Sequence, residues 1–485
     1  MRTLLENITK LIMPRIFVYA GLLLFLIIFY KTVMQRGCNI GYIIALLPFI
    51  TIIVYLLLKN PLWSFIFLFI ANYFVMGASR YVSFQAGILM DAIIFFCFAT
   101  LLVKTTYAKI EWNRVLNLLT LITSIWLLFC ILELLNPKDV SIENWLSKVR
   151  GIAIYPFAIV ILISVLFYKY KHLKLLLFIW SILTLLGAFK GFWQKVHGFD
   201  SAEMYWLFVG GANRTHILGS GIRYFSFFTD AGNYGSSMGF SMVVFSIAAF
   251  YIKNKWLKIY FFIVALSGGY GMIISGTRGA LAVPFAGYAL CVFLSKNWKI
   301  AITVTIVIIS ALFILNNTTI GNSNQQIRRM RTAFDQNDPS LNVRLENQKK
   351  LRKYMANLPF GTSIGFYGRT VSKNDPDYKI TQIPTDSWYV SIWIQTGIVG
   401  LVLHIILLSA TIFLGGYIIL FKIRNKELRG LLTAMLAGTF GMLISSYGNE
   451  LIGQFPNGYL FYACQTLVFM GKYYDKELEE HEQLT

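Results

Sequence analysis

Charged residues, cysteine and histidine are all scarce in this sequence. Only 13% of its 485 residues are Asp, Glu, Lys or Arg, about half the usual fraction in globular proteins, and 57% are hydrophobic. This composition excludes a soluble protein of this length. The five cysteines are scattered through apolar stretches, which argues against a disulfide framework or a zinc site. The five histidines form no spaced pair suited to a metal.

Apolar stretches of about 17 to 25 residues, long enough to cross a bilayer as helices, recur along the whole chain. They predict an all-α polytopic integral membrane protein with about 14 (12–14) transmembrane helices. The predicted helices span residues 16–30, 40–58, 61–78, 86–103, 115–135, 151–168, 173–189, 234–252, 257–275, 279–295, 299–315, 388–421, 430–447 and 457–472. No small-residue cleavage site follows the first, so we interpret it as a retained helix.

The distribution of Lys and Arg predicts the orientation of these helices. With the N-terminus in the cytoplasm, the inside segments carry 21 basic residues and the short outside loops carry 7. This bias predicts that both termini are cytoplasmic. The remaining 15 basic residues lie in two long outside loops, at about 190–233 and 316–386. Long loops report orientation poorly, so their charge needs another explanation.

The loops divide the chain into five parts. These are N-terminal transmembrane helices (1–189), core transmembrane helices with the first outer loop (190–315), a large periplasmic loop (316–386), C-terminal transmembrane helices (387–472) and a cytoplasmic tail (473–485).

The large loop is predicted to contain an amphipathic helix. Asp338-Pro339 is a typical helix start, leucines follow at helical spacing, and Pro359 ends the pattern. Such a helix lies on the membrane–water boundary or caps the bundle. Arg344 falls beside its apolar stripe and would then face the bundle. Most of the other basic residues of this loop are typical of a solvated face.

Two further stretches place arginines near apolar helices. GIRYFSFFTDAGNYGSSMGF (221–240) sets Arg223 and Asp230 among glycines and aromatic residues, shortly after Arg214. Glycines near a helix start can cradle a phosphate, although a glycine-rich turn without a ligand fits equally well. SGTRGALAV (275–283) places Arg278 between two apolar segments, where a charge is costly unless it snorkels, pairs or faces a wet cavity.

Asp386 stands at the threshold of another apolar run, in TDSWYVSIWIQTGIVGL (385–401). Aspartate is a common helix N-cap, so capping of the helix that follows is one interpretation. A carboxylate where a wet loop meets lipid is also suited to proton transfer. The aromatic residues that follow, including Tyr389, fit either a sugar-stacking role or an interfacial aromatic belt.

Together these stretches resemble the O-antigen ligase and O-antigen polymerase superfamily of bacterial membrane glycosyltransferases, over roughly residues 200–420. SGTRGALAV is similar to the family's Ser-Arg-Gly-Ala helix start. VRLENQKKLRKYMANLPFGTSIGFYG (343–368) is similar to its arginine, amphipathic helix and Pro-x-Gly-x-Gly pattern, with the second glycine displaced. The stretch 385–401 resembles its Gly-Ile-x-Gly helix entry, with Asp386 at the family's histidine and Ser387 at its asparagine.

The resemblance implies a metal-independent, inverting glycosyltransferase of the bacterial inner membrane, without a cofactor and with a periplasmic active site. Its partners would be an undecaprenyl-diphosphate-linked glycan donor, a glycan or lipid A–core acceptor and membrane lipids, with no nucleic acid. The implied catalytic residues are Asp386 as general base and Arg278 and Arg344 at the leaving diphosphate. The implied substrate-binding residues are Arg223, Arg214, Asp230, Ser387 and Tyr389.

Alternatives stay open at this point. A polymerase and a ligase would share the donor site and differ in the acceptor. A polysaccharide or lipid-linked glycan transporter or flippase would suit the helix count, and its basic outer loops would attract an anionic substrate. Interrupted helices at matching positions in two halves of the chain would indicate such a carrier, and the sequence shows no such pair.

Overall fold

The structure is a computed structural model that describes residues 51–137, 141–219, 221–296, 298–334, 339–366 and 378–484. Nearly all regular secondary structure in these ranges is helical, since helices satisfy their backbone hydrogen bonds internally. A hairpin of two short strands, β1 Ile217–Leu218 and β2 Gly221–Ile222, is the one sheet in the described chain. The predicted all-α fold is confirmed. The predicted helix 16–30 and most of 40–58 lie outside the described residues.

The α-helices are numbered in chain order, after a helical stretch at 51–59. They are α1 Pro61–Ala78, α2 Ala86–Thr105, α3 Leu118–Leu132, α4 Ile142–Val149, α5 Tyr155–Leu166, α6 Tyr170–His197, α7 Ser201–Phe208, α8 Asn213–His216, α9 Ala231–Tyr251, α10 Lys255–Ile274, α11 Ala282–Leu294, α12 Trp298–Asn317, α13 Gln325–Arg331, α14 Pro339–Met355, α15 Tyr378–Thr381, α16 Trp388–Phe421, α17 Lys426–Ser445, α18 Asn457–Phe469 and α19 Gly471–Leu484.

Nine helical stretches of the described chain are apolar and long enough to cross a membrane. They are Pro61–Ala78, Ala86–Thr105, Leu118–Leu135, Ile142–Leu166, Tyr170–His197, Ala231–Tyr251, Lys255–Ile274, Trp388–Phe421 and Lys426–Ser445. Shorter apolar helices span Arg278–Leu294 and Ala301–Ile314. The chain is thus a multi-pass membrane protein, and the full number of fourteen spans remains a prediction.

The chain forms two compact units. The described residues of the first are 51–64 and 99–108, and the second holds 65–98 and everything from Lys109 onward. Every residue of the sites described below belongs to the second unit.

The helix α6 is longer than the sequence predicts. The polar residues from Lys190 onward predict a loop, but α6 continues to His197. The Lys190 ammonium lies 2.9 Å from a Glu203 carboxylate oxygen and 3.2 Å from one of Asp200. Because this charge is paired at the start of α7, the helix continues past Lys190 instead of ending there. The prediction of a loop beginning at residue 190 was wrong by about two turns.

The predicted amphipathic helix of the large loop is present as α14. It begins at Pro339, as the sequence predicts. Leu351 and Met355 on this helix are buried in a cluster with Val390 and Ile394 of α16. The helix therefore packs on the bundle, which is one of the two placements that the sequence left open.

The C-terminal segment is packed rather than solvated. The Asp475 carboxylate is buried and accepts hydrogen bonds from the backbone N–H groups of Arg424 and Asn425, both over 2.9 Å. Tyr474 is fully buried beside it. These contacts hold the start of α19 against the end of α16, so the segment predicted as a tail over 473–485 packs on the rest of the protein at Tyr474 and Asp475. Its cytoplasmic location remains a prediction.

A kink at Gly397 divides α16, the longest helix of the described chain. Gly397 has φ +67° and ψ −170°, which interrupts the helical hydrogen bonds. The loop before it supplies replacements. The Thr362 N–H donates to the Ile394 carbonyl over 2.8 Å, and the Val399 N–H donates to the Pro359 carbonyl over 3.2 Å. The loop segment that carries the displaced glycine pattern thus holds α16 at its kink through backbone hydrogen bonds. We call these hydrogen bonds the clamp at Gly397.

We expect Gly397→Ala to destabilise the protein by on the order of 1–3 kcal/mol, because alanine is strained at this φ. A Cβ there would also stand 2.0 Å from the Pro359 oxygen. The measurement is thermal unfolding of purified protein in detergent. Gly416→Ala, in the same helix, is the control, since its Cβ would meet its nearest atom at 3.4 Å. Equal unfolding temperatures for the two variants would contradict this account of the kink.

Candidate functional site

A cavity of about 1840 Å³ lies between α11, α16 and α17 and the loops that precede α9 and α16. It is larger than most ligand pockets, which measure about 300–1,000 Å³. Charged and polar side chains from the loops and helix ends line one part, and apolar side chains from the helices line the rest. We call it the main cavity.

Seven of the eight site residues predicted from the sequence line the main cavity. They are Arg214, Arg223, Asp230, Arg278, Arg344, Asp386 and Tyr389. The structure therefore brings together residues from both outer loops and three helix ends. The eighth, Ser387, is buried, and its hydroxyl donates to the Ser446 carbonyl over 3.4 Å. Ser387 thus holds the start of α16 in place and is not on the cavity wall.

Neutral acceptors hold Arg223 and Arg344. The Arg223 guanidinium donates to the Thr215 carbonyl over 2.9 Å and to the Thr277 hydroxyl over 2.8 Å. Arg344 Nη2 donates to the Gly448 carbonyl over 2.9 Å. Within the described ranges, neither arginine forms an ion pair. Hydrogen bonds thus fix the positions of both guanidinium groups, and the Asp230 carboxylate acts on Arg223 only through space.

Arg278 and Arg329 stand beside them. Arg278 begins the 3₁₀ turn Arg278–Leu281 that leads into α11, and its Nη1 donates to the Thr332 hydroxyl over 3.1 Å. Arg329, on α13, donates from Nε to the Gly276 carbonyl over 2.7 Å. We refer to Arg223, Arg278, Arg329 and Arg344 as the arginine cluster.

The members of the arginine cluster repel one another. Burial lowers the pKa of Arg223, the negative charge of Asp230 partly offsets this, and the positive charges of Arg278 and Arg344 lower the pKa further. Burial, followed by the charges of Arg223 and Arg278, lowers the pKa of Arg329 to about 10. Arg329 therefore still carries its proton at neutral pH. An anion bound among them would relieve the repulsion, so the cluster is suited to phosphate oxygens.

The sequence did not single out Arg329. It lies in the run Arg328, Arg329 and Arg331, which we interpreted as part of a solvated basic face. Which of the three faces the cavity depends on the phase of a short helix, and no sequence signal fixes that phase. Arg214, by contrast, was predicted and lines the cavity, but it is exposed at the edge.

Asp386 lies exposed on the cavity wall with φ +50°. A positive φ is sparsely populated by residues other than glycine, and such strain is concentrated at functional sites. The helix α16 begins at Trp388, and its N-cap position is Ser387. The interpretation of Asp386 as the cap of this helix was therefore wrong. The Asp386 carboxylate does not cap α16 and lies on the cavity wall.

Asp230 and Tyr389 have structural partners as well as cavity positions. Asp230 is the N-cap of α9, because its carboxylate accepts from the Asn233 N–H over 2.9 Å and the Asn233 amide over 2.8 Å. The Tyr389 hydroxyl donates to the Leu443 carbonyl over 2.9 Å, which ties α16 to α17. Both residues shape the cavity wall, and a direct role for either in substrate binding remains a prediction.

Glu450 is a third carboxylate of the cavity wall, beside Asp230 and Asp386, and the sequence did not single it out. It follows α17, is half-buried, and accepts a hydrogen bond from the Thr385 hydroxyl next to Asp386. The available signal was its position just beyond the predicted helix 430–447, on the same side of the membrane as Asp386. Lys148, on α4, adds a further cation to the wall.

The buried imidazole of His216 also lines the cavity, but both its nitrogens are engaged. Nδ1 lies 2.9 Å from the Ala212 carbonyl, and Nε2 accepts from the Ala231 N–H over 3.2 Å. Burial lowers its pKa to about 4, helped by the charges of Arg223 and Arg80. The ring is therefore neutral at neutral pH and supports the start of α9 rather than offering a base.

Among the described residues, no group of three or more His, Cys, Asp or Glu is placed to hold a metal ion. Metal independence of the reaction remains a prediction.

A comparison with known families matches the chain over residues 261–405 to the family described as O-antigen ligase. The resemblance drawn from the motifs is thus confirmed, and it indicates a glycan-transferring membrane enzyme of the O-antigen ligase or polymerase type. No curated protein matches the chain. The O-antigen ligase segment contains Arg278, Arg329, Arg344 and Asp386, while Arg223 and Glu450 lie outside it.

We expect inorganic pyrophosphate to raise the unfolding temperature of the purified protein, because a ligand that binds the folded state stabilises it. Arg278→Gln and Arg329→Gln should each lose most of this gain. Arg352→Gln is the matched control, since Arg352 is exposed on α14 and is not part of the cavity wall, and it should keep the full gain. A gain that is the same in all four proteins would show that pyrophosphate binds elsewhere.

Proposed function

We propose that this protein transfers glycan from an undecaprenyl-diphosphate-linked donor, on the periplasmic side of the bacterial inner membrane, as an O-antigen or exopolysaccharide polymerase or ligase. The observation that carries the proposal is the composition of the main cavity. An arginine cluster and an apolar groove are parts of one cavity, as a lipid diphosphate with a charged head and a long apolar tail requires.

The apolar part of the cavity runs along three helices. Leu401, Ile405, Leu408 and Ile412 share one face of α16 by their helical spacing. Facing walls come from α11 and α17, and Phe293 at the far end of α11 is 81% exposed. Fifteen residues of helix separate it from Arg278, roughly 20 Å at 1.5 Å per residue. This groove is long enough for several isoprene units of a lipid tail.

The arginine cluster is suited to the leaving group. In the proposed reaction the bond between the anomeric carbon and the diphosphate oxygen breaks, and the oxygen keeps the electron pair. The lipid diphosphate therefore gains negative charge as it leaves. Guanidinium groups bind phosphate oxygens in pairs of hydrogen bonds and keep their charge, so arginines already in position stabilise this transition state.

The acceptor hydroxyl must lose its proton as the new glycosidic bond forms. We assign this proton to the Asp386 carboxylate, which is exposed on the cavity wall and held in a strained conformation. Attack from the side opposite the diphosphate would invert the anomeric centre. No step in this scheme needs a metal, because the arginines supply the positive charge. Asp230 also lines this wall but caps α9, so Glu450 is the acid tested alongside Asp386.

The alternative is a transporter or flippase for a lipid-linked glycan, which would bind the same headgroup without breaking a bond. A carrier would also need the arginine cluster. It would not need a base, so its activity would be insensitive to removal of the Asp386 charge. Polymerase and ligase differ only in the acceptor, and the glycans of the host distinguish them.

The test is complementation of a deletion of this gene in the native host, followed by gel analysis of lipopolysaccharide and lipid-linked glycan. A ligase deletion should leave bare core with long glycan stranded on the carrier, and a polymerase deletion should leave core with single units. We expect Asp386→Asn, at normal expression, to reduce product about a hundredfold or more, as loss of a general base does.

Glu346→Gln is the control for this experiment, because Glu346 is exposed on α14 and pairs with Lys350 away from the cavity. It should restore the wild-type pattern. Full activity of Asp386→Asn together with loss of activity in Glu450→Gln would move the base to Glu450. Full activity of both variants would remove the proposed mechanism and favour the carrier.

A further inference from the structure

A second cavity, of about 360 Å³, lies against the main cavity. The two share part of their walls. The shared residues are Lys148, Ser391, Gln395, Glu450 and Gln454. The volume is at the lower end of the range for ligand pockets, about 300–1,000 Å³. Its other walls come from the ends of α1 and α2, the turn between α4 and α5, and the loop before α18.

The chemistry of the second cavity differs from that of the main one. Its arginine, Arg150, is paired with the Asp91 carboxylate at 2.5 Å. The Tyr155 hydroxyl donates to the other oxygen of Asp91 over 2.6 Å. The paired charges cancel, so this wall offers polar groups without the excess of positive charge found in the arginine cluster. A diphosphate would therefore bind in the main cavity.

Aromatic rings and amides form the rest of this wall. Trp388, Tyr155 and Phe455 line the second cavity together with the side-chain amides of Gln395 and Gln454. Rings that offer apolar faces next to groups that donate and accept hydrogen bonds match a saccharide, which has apolar C–H faces and many hydroxyls.

The two cavities also differ in their relation to the family. Only Trp388, Ser391 and Gln395 of the second cavity lie within the matched segment 261–405. The arginine cluster lies mostly inside that segment. This difference is expected if the members of the family bind the same donor headgroup in the main cavity and each protein binds its own acceptor in the second cavity.

We infer that the second cavity binds the acceptor saccharide. This inference rests on the proposed function only because it calls the bound saccharide the acceptor. A glycan end seated there would reach the main cavity past Glu450, and its terminal hydroxyl would meet the donor beside the arginine cluster. Transfer would then join the two ligands across the shared wall, and the lengthened glycan would leave through the second cavity.

The experiment fills the second cavity without touching the arginine cluster. Ala86 is half-buried and lines the second cavity, so Ala86→Trp adds bulk there. Ile88→Trp is the matched control. It lies two residues along the same helix, is 56% exposed and belongs to neither cavity wall.

The probe is an oligosaccharide released by mild acid from the surface polysaccharide of the host and labelled with a fluorophore at its reducing end. Its binding to purified protein is measured by fluorescence anisotropy. We expect Ala86→Trp to weaken binding about tenfold or more through steric exclusion, and Ile88→Trp to bind like wild type. Both variants should keep the stabilisation by pyrophosphate, which shows that the main cavity is intact.

Unchanged oligosaccharide binding by Ala86→Trp would overturn the inference, as would an absence of binding to wild type. A loss of binding in Arg278→Gln as large as in Ala86→Trp would also overturn it, because the saccharide would then lie in the main cavity. Failure of the proposed function looks different. Wild type would bind the oligosaccharide in the second cavity and transfer no glycan, which leaves this cavity as a saccharide site without the transferase.

Discussion

The concentration of like charge in one cavity is the constraint on which the site depends. Four arginines from different parts of the chain share a partly buried space, and their like charges help to lower the pKa of Arg223, Arg278 and Arg329, which costs folding free energy. Hydrogen bonds to backbone carbonyls and hydroxyls hold Arg223 and Arg344 in place. Such acceptors fix a guanidinium without cancelling its charge. The repulsion among the arginines therefore persists in the protein without a ligand, and binding of an anion would relieve it.

The scaffold around the cluster follows from this requirement. The 3₁₀ turn at Arg278 and the helix α14 bring two arginines in from the matched segment, and the hairpin before α9 brings in Arg223. The clamp at Gly397 then fixes the first turns of α16 by backbone hydrogen bonds from the large loop. These turns carry Asp386 at their start and form walls of both cavities. The large loop thus shapes the site through its backbone as well as its charges.

The sequence predicted the fold class and singled out seven residues that line the main cavity, because both depend on the local free-energy cost of placing a residue near lipid. A long apolar run must be helical in a bilayer, and an arginine beside such runs must find a wet or polar environment, which identified Arg278. Arg344 followed from helical spacing. These inferences need only the pattern around each residue.

The features that the sequence missed depend on how separate segments meet. Arg329 could not be separated from its neighbours without the phase of α13, and Glu450 gained significance only when Thr385 was found beside it. The continuation of α6 past Lys190 depends on Glu203 in the next helix. The second cavity is formed by six separate stretches of chain, so no local sequence pattern could have predicted it.

The central claim is that the arginine cluster and the apolar groove bind one lipid diphosphate. The most direct measurement is equilibrium binding of undecaprenyl diphosphate to the protein in nanodiscs, with Ile405→Trp as the groove variant. Ile406→Trp is its control, since Ile406 is 58% exposed on the same helix and does not line the cavity. The account predicts that Ile405→Trp loses lipid binding while retaining pyrophosphate binding, and that Ile406→Trp keeps both. Normal lipid binding by Ile405→Trp would contradict it.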